Sequence, residues 1–169
     1  RGTGVTGDGL IHLKGLTGLK VLELPDVEMT ATQVAPLAVL TNLERLHVSL
    51  KPDGDAGLRF LSGFPKLKEA NVRKFELTNR RMALVARMTG LERLEIASGQ
   101  VGDRGLAQLA NLKRLHELRL VDTRVTDAGL QTVGGLSGLK VVELSGRRFT
   151  DAGFQHLRGL AELESLRVR

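Results

Sequence analysis

The sequence contains no cysteine, tryptophan or tyrosine, and it has only five phenylalanines among 169 residues. Without cysteine, disulfide bonds and thiolate metal sites are excluded. The chain also lacks any run of about 18 apolar residues, which excludes a transmembrane helix. With so few aromatic side chains there is little on which the bases of a single-stranded nucleic acid could stack. None of these absences indicates a cellular compartment.

What the sequence does have is leucine at a fixed spacing of 24 residues. After each of these leucines the next apolar residues fall three and five places on, which gives the pattern LxxLxLxx seven times. A period between about 20 and 50 residues indicates a solenoid, in which each unit forms one layer that contacts only its neighbours. The first leucines of the units are Leu19, Leu43, Leu67, Leu91, Leu115, Leu139 and Leu163.

Within each unit the LxL alternation predicts a short strand that buries two side chains, and strands of successive units are expected to stack side by side in parallel. After the strand, Thr126 and Asp127 predict a helix start, where a capping oxygen and a carboxylate are favoured by the free backbone N–H groups. Thr150 and Asp151 predict the same arrangement in the next unit. The outer side of each layer should therefore be a short helical segment.

A glycine recurs three residues after the position of Thr126, and it is expected to let neighbouring outer segments approach closely. The glycines at this position are Gly9, Gly57, Gly105, Gly129 and Gly153.

Three segments depart from the repeat, namely 31–40, 51–55 and 76–82, and the pattern predicts no regular conformation for them. Pro36 is expected to prevent a long helix in the first of these segments. Asp53 occupies a position that is apolar in other units, so its turn is expected to bulge into solvent rather than bury a carboxylate. Ala70 replaces a leucine, and its layer should pack more thinly.

The sequences VTDAGL at 125–130 and FTDAGF at 149–154, each following an LxxLxLxx block, resemble the TDAGL class of leucine-rich repeats found in bacterial proteins. They are also similar to the repeats of ribonuclease inhibitors and of F-box substrate receptors. The resemblance implies a horseshoe-like solenoid whose concave sheet binds another protein and which performs no catalysis.

The expected fold is therefore α/β: a right-handed leucine-rich repeat solenoid with seven parallel short strands on the concave face and short helical or irregular segments on the convex face. We expect residues 1–169 to form a single domain with a period of 24. Because the chain begins at Arg1, part way through a unit, we also expect it to be a piece of a longer array or of a multidomain protein.

Side chains beside the buried LxL positions point out of the concave face and form columns in which the sign of the charge alternates. One interpretation is that these ion pairs only hold the strands in register and keep the face soluble. The other is that a protein partner of unknown identity uses the same residues on the middle four strands, and the pattern leaves both open. The candidate binding residues are Arg45, His47, Glu69, Asn71, Arg73, Arg93, Glu95, Glu117, Arg119 and Val121.

The net charge of +6 suggests a contact with nucleic acid as a lesser alternative. The outward strand columns are close to neutral, so the excess of positive charge lies on the turns and the outer side. Phosphate binding needs several cations on one surface. The densest group of cations comprises Arg80, Arg81, Arg87, Arg104, Lys113 and Arg114.

No pattern in the sequence predicts a catalytic residue, a cofactor or a metal. No two histidines have the HxxxH spacing typical of zinc ligands, and the glycines after Val133 lack the spacing of a phosphate loop. A second hypothesis, in which this segment has no ligand, is a structural spacer within a longer array. In that case the terminal faces should be covered by further repeats or by another chain.

Overall fold

The computed structural model describes residues 6–51, 54–70, 72 and 75–169, and at 25–27 it describes the backbone alone. Seven parallel strands form one open sheet, and their order in the sheet is their order in the chain. This arrangement confirms the predicted leucine-rich repeat solenoid, since each unit adds one strand beside the last. The strands are β1 Val21–Met29, β2 Arg45–Leu50, β3 Glu69–Ala70, β4 Arg93–Ala97, β5 Glu117–Val121, β6 Val141–Leu144 and β7 Ser165–Val168.

The register between strands follows the 24-residue period of the sequence. Leu118 in β5 lies opposite Leu94 in β4 and Val142 in β6. Their exposed fractions are 0%, 2% and 0%, so equivalent apolar residues of neighbouring layers are stacked in the core. The sequence prediction that each unit forms one layer is confirmed at these positions.

Short helical segments form the convex side. The core lies between them and the sheet, and the outer face of the sheet carries the charged columns. The α-helices are α1 Ala31–Val34, α2 Ala56–Leu61, α3 Met82–Val85, α4 Asp103–Leu106, α5 Asp127–Gly134 and α6 Asp151–Phe154. Four stretches of 3-10 helix cover Gly7–Gly15, Ala35–Val39, Ala107–Asn111 and Gln155–Gly159. Across the described residues no helix combines the length and the apolar character that crossing a membrane requires.

The first irregular segment, 31–40, contains a capped helix that ends early. The side-chain oxygen of Thr30 accepts a hydrogen bond from the Gln33 N–H, and Oε1 of Gln33 accepts one from the Thr30 N–H, which makes a capping box. Helix α1 ends after four residues, and Pro36 lies in the first turn of the 3-10 stretch that follows. Proline has no backbone N–H to donate to a helical hydrogen bond, so it is tolerated in a first turn but not inside a longer helix. The early end of α1 therefore agrees with the prediction that Pro36 prevents a long helix.

The other two irregular segments are joined to each other by one arginine. Nε of Arg81 lies 2.8 Å from Oδ1 of Asp55, and Nη1 of Arg81 donates to the carbonyl oxygen of Glu76 at 2.8 Å. Gly54 has a φ of 74°, a left-handed conformation that glycine adopts without strain. Asp53, for which a solvent-exposed bulge was predicted, lies outside the described residues.

In the layer that contains Ala70, the described part of strand β3 is Glu69–Ala70, and Glu69 lies opposite Arg93 of β4. Phe75 is buried in the same layer, and a Cβ built on Gly57 would lie 2.6 Å from its ring. The aromatic ring of this unit therefore occupies space that a small residue in the preceding unit leaves open.

Carboxylates at the helix starts link each layer to the next. Oδ1 and Oδ2 of Asp103 accept hydrogen bonds from the N–H and the hydroxyl of Thr126, both at 2.8 Å. Asp127 accepts the same pair of bonds from Thr150, at 2.8 Å and 2.5 Å. The Thr126 hydroxyl also caps its own helix, but that of Thr150 does not, so the prediction of a cap at Thr150 was wrong. Its hydroxyl is turned toward the carboxylate of the preceding layer instead.

The recurrent glycines make room for these linking side chains. A Cβ on Gly129 would lie 2.5 Å from Oδ1 of Asp103, and one on Gly105 would lie 2.6 Å from Oδ1 of Asn79. Gly153 is in the same relation to Asp127. The predicted close approach is thus confirmed at these three positions and at Gly57, whose Cβ would meet Phe75, and it stays a prediction for Gly9.

We expect the Thr150→Val variant to raise the pKa of Asp127 toward the ordinary aspartate value. The hydroxyl and backbone N–H of Thr150 hold that pKa below its usual range because both hydrogen bonds favour the ionised carboxylate. The contribution of these two hydrogen bonds to the stability of the fold is present above the unfolded-state pKa of about 3.9. It is lost as the pH falls through the depressed pKa of the folded state. Carboxyl carbon NMR across an acid titration would measure the change.

The exposed Thr89→Val exchange is the matched control, and it should leave the titration of Asp127 unchanged. An Asp127 that titrates at the same pH with and without the Thr150 hydroxyl would contradict the assigned hydrogen bond.

Candidate functional site

A groove of about 500 Å³ opens on the face of the sheet that carries the charged columns, here called the concave face. Its lining residues lie on β1 to β5, with β3 in the middle. Charged side chains form most of its walls, and its floor includes residues whose side chains belong to the core. The groove is lined by Glu23, Arg45, Leu46, His47, Glu69, Ala70, Arg93, Leu94, Glu95, Glu117 and Arg119.

The structure brings together seven of the ten candidate binding residues in this groove, namely Arg45, His47, Glu69, Arg93, Glu95, Glu117 and Arg119. Asn71 and Arg73 lie outside the described residues. Val121 ends β5 opposite Ala97 and is half-buried, and it does not line the groove. Whether any of these residues binds a partner stays a prediction.

Sequence reasoning left out four residues that line the groove. Glu23 belongs to the same charged column as His47, but it lies on β1, outside the four middle strands that the prediction considered. Leu46, Ala70 and Leu94 were assigned to the core alone, and each is less than 9% exposed. The replacement of a leucine by the smaller Ala70 was the one signal of this floor in the sequence.

One ladder of ion pairs runs along the edge of the groove. Nζ of Lys20 lies 3.4 Å from Glu44, Nζ of Lys68 lies 3.1 Å from the other oxygen of Glu44, and Lys68 also reaches Glu92 at 3.5 Å. The hydrogen bond and charge of Lys68 lower the pKa of the Glu44 carboxyl, and Glu44 in turn raises the pKa of the Lys68 ammonium. The alternation of charge predicted for this column is therefore present as contacts between adjacent layers.

A second ladder crosses the middle of the groove. Arg93 lies 3.5 Å from Glu69 on one side and 3.6 Å from Glu117 on the other. Arg119 contacts Glu117 on its own strand at 2.6 Å and Glu143 on the next strand at 3.9 Å. Each arginine thus bridges two carboxylates, so the groove presents paired charge of both signs.

The arginine side chains of the groove remain open to solvent. Arg45, Arg93 and Arg119 are 58%, 63% and 40% exposed, whereas Glu143 is only 8% exposed. Ion pairs between exposed groups contribute between about 0 and 1 kcal/mol each. A partner could therefore recruit these guanidinium groups at small cost to the stability of the sheet.

Of the convex group of cations only Arg81 is half-buried, and the other five are exposed. Arg81 is half-buried in its contact with Asp55, and Lys113 donates to the carbonyl oxygen of Gly135 at 3.2 Å. Within the described ranges, no three His, Asp or Glu side chains are grouped so that they could hold a metal ion.

Comparison with solved structures assigns the fold. Internalin C2 from Listeria monocytogenes superposes with a TM-score of 0.71 at 25% sequence identity, over 93% of this chain and 74% of that one. This chain has the leucine-rich repeat fold. The internalin inlF of the same organism matches with a TM-score of 0.67 at 22% identity, and the match covers 92% of this chain but only 49% of inlF. Neither the protein-family models nor the curated proteins include a match to this sequence.

Plant proteins with the leucine-rich repeat fold are also similar in structure. The peptide hormone receptor RGFR1, in complex with RGF2, has a TM-score of 0.55 at 14% identity, over 94% of this chain and 26% of the receptor. At that identity the likeness concerns the fold alone. The narrower resemblance to TDAGL-type, ribonuclease-inhibitor and F-box repeats stays a prediction.

Proposed function

We propose that this chain is a non-enzymatic protein-recognition module whose concave groove binds a protein partner. The proposal rests on three solvent-exposed arginines in the groove, Arg45, Arg93 and Arg119. They lie on one face of an open sheet. Arginine is enriched among the residues that dominate the energetics of protein interfaces. The chemistry of the groove thus suits a partner surface that offers both acidic and basic groups.

The internal pairing of the groove supports recognition rather than catalysis. A general acid or base usually needs an environment that moves its pKa toward the working pH, such as an apolar cleft. Glu69, Glu117 and Glu143 instead lie within 4 Å of arginines. One plant receptor of the same fold has been solved in complex with RGF2, so this fold can present a surface to a second molecule.

Charge reversal of Arg93 and Arg119 to glutamate should reduce partner capture at least about tenfold, a loss of about 1.4 kcal/mol in binding free energy. The new carboxylates would face Glu69, Glu117 and Glu143 and would repel the acidic groups of the partner. Affinity purification from cells that express this protein would compare capture by the wild type and the double variant.

Reversal of Arg87 and Arg104, two exposed arginines on the convex side, is the matched control because it makes the same change in net charge. Far-UV circular dichroism should show that both double variants remain folded. Equal capture by the groove variant and the wild type would refute the placement of the site and favour the spacer hypothesis.

A further inference from the structure

Carboxylates are almost missing from the part of each unit that runs from its helical segment to the turn before the next strand. The seven stretches of this kind contain eight lysines or arginines but only one acidic residue, Glu162. They therefore carry a net charge of +7, while the rest of the chain carries −1. We call the surface that they form the basic side. The stretches are 9–18, 33–42, 57–66, 81–90, 105–114, 129–138 and 153–162.

Four exposed cations of the basic side lie in α2 and in the turns that lead into β3 and β5. Nζ of Lys66 donates to Oδ1 of Asn42 at 2.7 Å, and Nζ of Lys113 donates to a carbonyl oxygen, so both have neutral acceptors. In the described part of the chain none of the four forms an ion pair, in contrast to the lysines and arginines of the two ladders. The four cations are Arg59, Lys66, Lys113 and Arg114.

The register of the repeat places two of these cations close together. Lys66, Gly90 and Arg114 occupy equivalent places in the turns before β3, β4 and β5. Because neighbouring strands lie about 4.8 Å apart, the backbones at Lys66 and Arg114 are separated by about 10 Å. A Cβ on Gly90 would lie 2.9 Å from the carbonyl oxygen of Pro65, so the turns pack tightly. Glycine also leaves no side chain of its own between the two cations.

The surface around these cations consists of small side chains. Gly63, Ala83, Ala107 and Ala110 are all exposed there, and among the described residues of 43–114 no large apolar side chain is exposed. Attachment to a membrane surface combines cations with large apolar anchors, and a protein interface is usually centred on aromatic anchors. Binding of a phosphate backbone requires cations alone, so phosphates are the partner chemistry that this surface fits.

We propose that the basic side binds the phosphate backbone of a nucleic-acid duplex without reading its sequence. A duplex carries one negative charge per about 1.7 Å of its axis, so several phosphates fall within the distance between Lys66 and Arg114. The bases of a duplex stay stacked on each other, so this contact needs none of the aromatic side chains that single-strand binding requires. It uses neither the groove nor its arginines, and it stands independently of the proposed function.

Fluorescence anisotropy of a labelled DNA duplex of mixed sequence tests this proposal over a series of salt concentrations. Binding should be strongest at low salt, because the cations release counterions from the phosphates. The logarithm of the association constant should fall against the logarithm of the salt concentration with a slope of about −2 to −4, which corresponds to two to four phosphate contacts. A second duplex of unrelated sequence should bind with the same affinity.

A pair of double variants separates this site from the overall charge. Lys66→Gln with Arg114→Gln should weaken duplex binding at least about tenfold at low salt and make the slope shallower by about 2, because two phosphate contacts are lost. Lys51→Gln with Arg124→Gln is the matched control. These residues are also exposed and give the same change in net charge, but they follow β2 and β5, outside the basic side. The control should keep the slope of the wild type, and far-UV circular dichroism should show that both variants are folded.

Three results would overturn the proposal. A wild-type chain that binds no duplex at low salt has no such site. Equal weakening of both double variants would show that the duplex is attracted by the net charge and not by the basic side. Tighter binding to phosphatidylserine-containing vesicles or to polyglutamate than to the duplex, with the same loss on substitution of Lys66 and Arg114, would assign the surface to a membrane or to an acidic protein.

Discussion

Replacement of Leu118 by alanine should lower the free energy of unfolding by about 2 to 5 kcal/mol. Leu118 is fully buried and stacks between Leu94 and Val142, so the shortened side chain would leave a cavity shared by three layers. In a solenoid the stability of each unit depends on its contacts with both neighbours, so a defect in a middle layer weakens two interfaces at once. Urea unfolding followed by far-UV circular dichroism would measure the loss.

Leu166→Ala provides a control at the same position of the repeat. Leu166 follows Leu118 and Val142 in the stack, but it is 43% exposed because it lies in the last described layer. The same chemical change should therefore cost less than about 1 kcal/mol there. Similar losses at both positions would contradict the assignment of each unit to one layer of a common core.

The fold was predictable because a single register determines most of it. The period of 24 residues places Leu118 opposite Val142, and the same step repeats along the whole sheet. Alternation within LxL then decides which side chains enter the core and which form the charged columns. The ion pairs of Lys68 with Glu44 and Glu92 follow from that register alone.

Local chemistry on the convex side was less predictable. The sequence indicated that Asp127 begins a helix, where a carboxylate is favoured by the helix dipole. Its carboxylate accepts two hydrogen bonds from Thr150 of the following layer, 23 residues away. Only the stacking of layers brings these two residues close. The glycines of the TDAGL pattern likewise predicted a close approach of neighbouring layers. They did not indicate that a carboxylate of the preceding layer would occupy the space beside them.

The sequence predicted which charged residues line the candidate site, but it did not predict the groove that they form. The columns identified the arginines and glutamates of the groove because their outward direction follows from the strand alternation. The floor of the groove includes Leu46, Ala70 and Leu94, which the repeat pattern assigns to the core alone.

Substitution of Gly134 by alanine is the second change with a large expected effect. Gly134 ends α5, and within a helix the exchange of glycine for alanine would by itself stabilise by about 1 kcal/mol. The added Cβ, however, would overlap the carbonyl oxygen of His156 in the next layer. That oxygen belongs to the backbone of the 3-10 stretch Gln155–Gly159 and cannot move aside as the end of a side chain could. We therefore expect a net loss of about 1 to 3 kcal/mol, because overpacking outweighs helix propensity.

The equivalent residues of the two preceding layers are Ala86, which follows α3, and Ala110, which lies in the 3-10 stretch Ala107–Asn111. Those layers accommodate a Cβ at this position, whereas at Gly134 the backbone of His156 occupies the space. Gly159→Ala, whose Cβ would meet no described atom within 4 Å, should leave the urea midpoint nearly unchanged. A gain in stability for Gly134→Ala would mean that the layers can separate at this point, and the tight packing of α5 against the following turn would then be wrong.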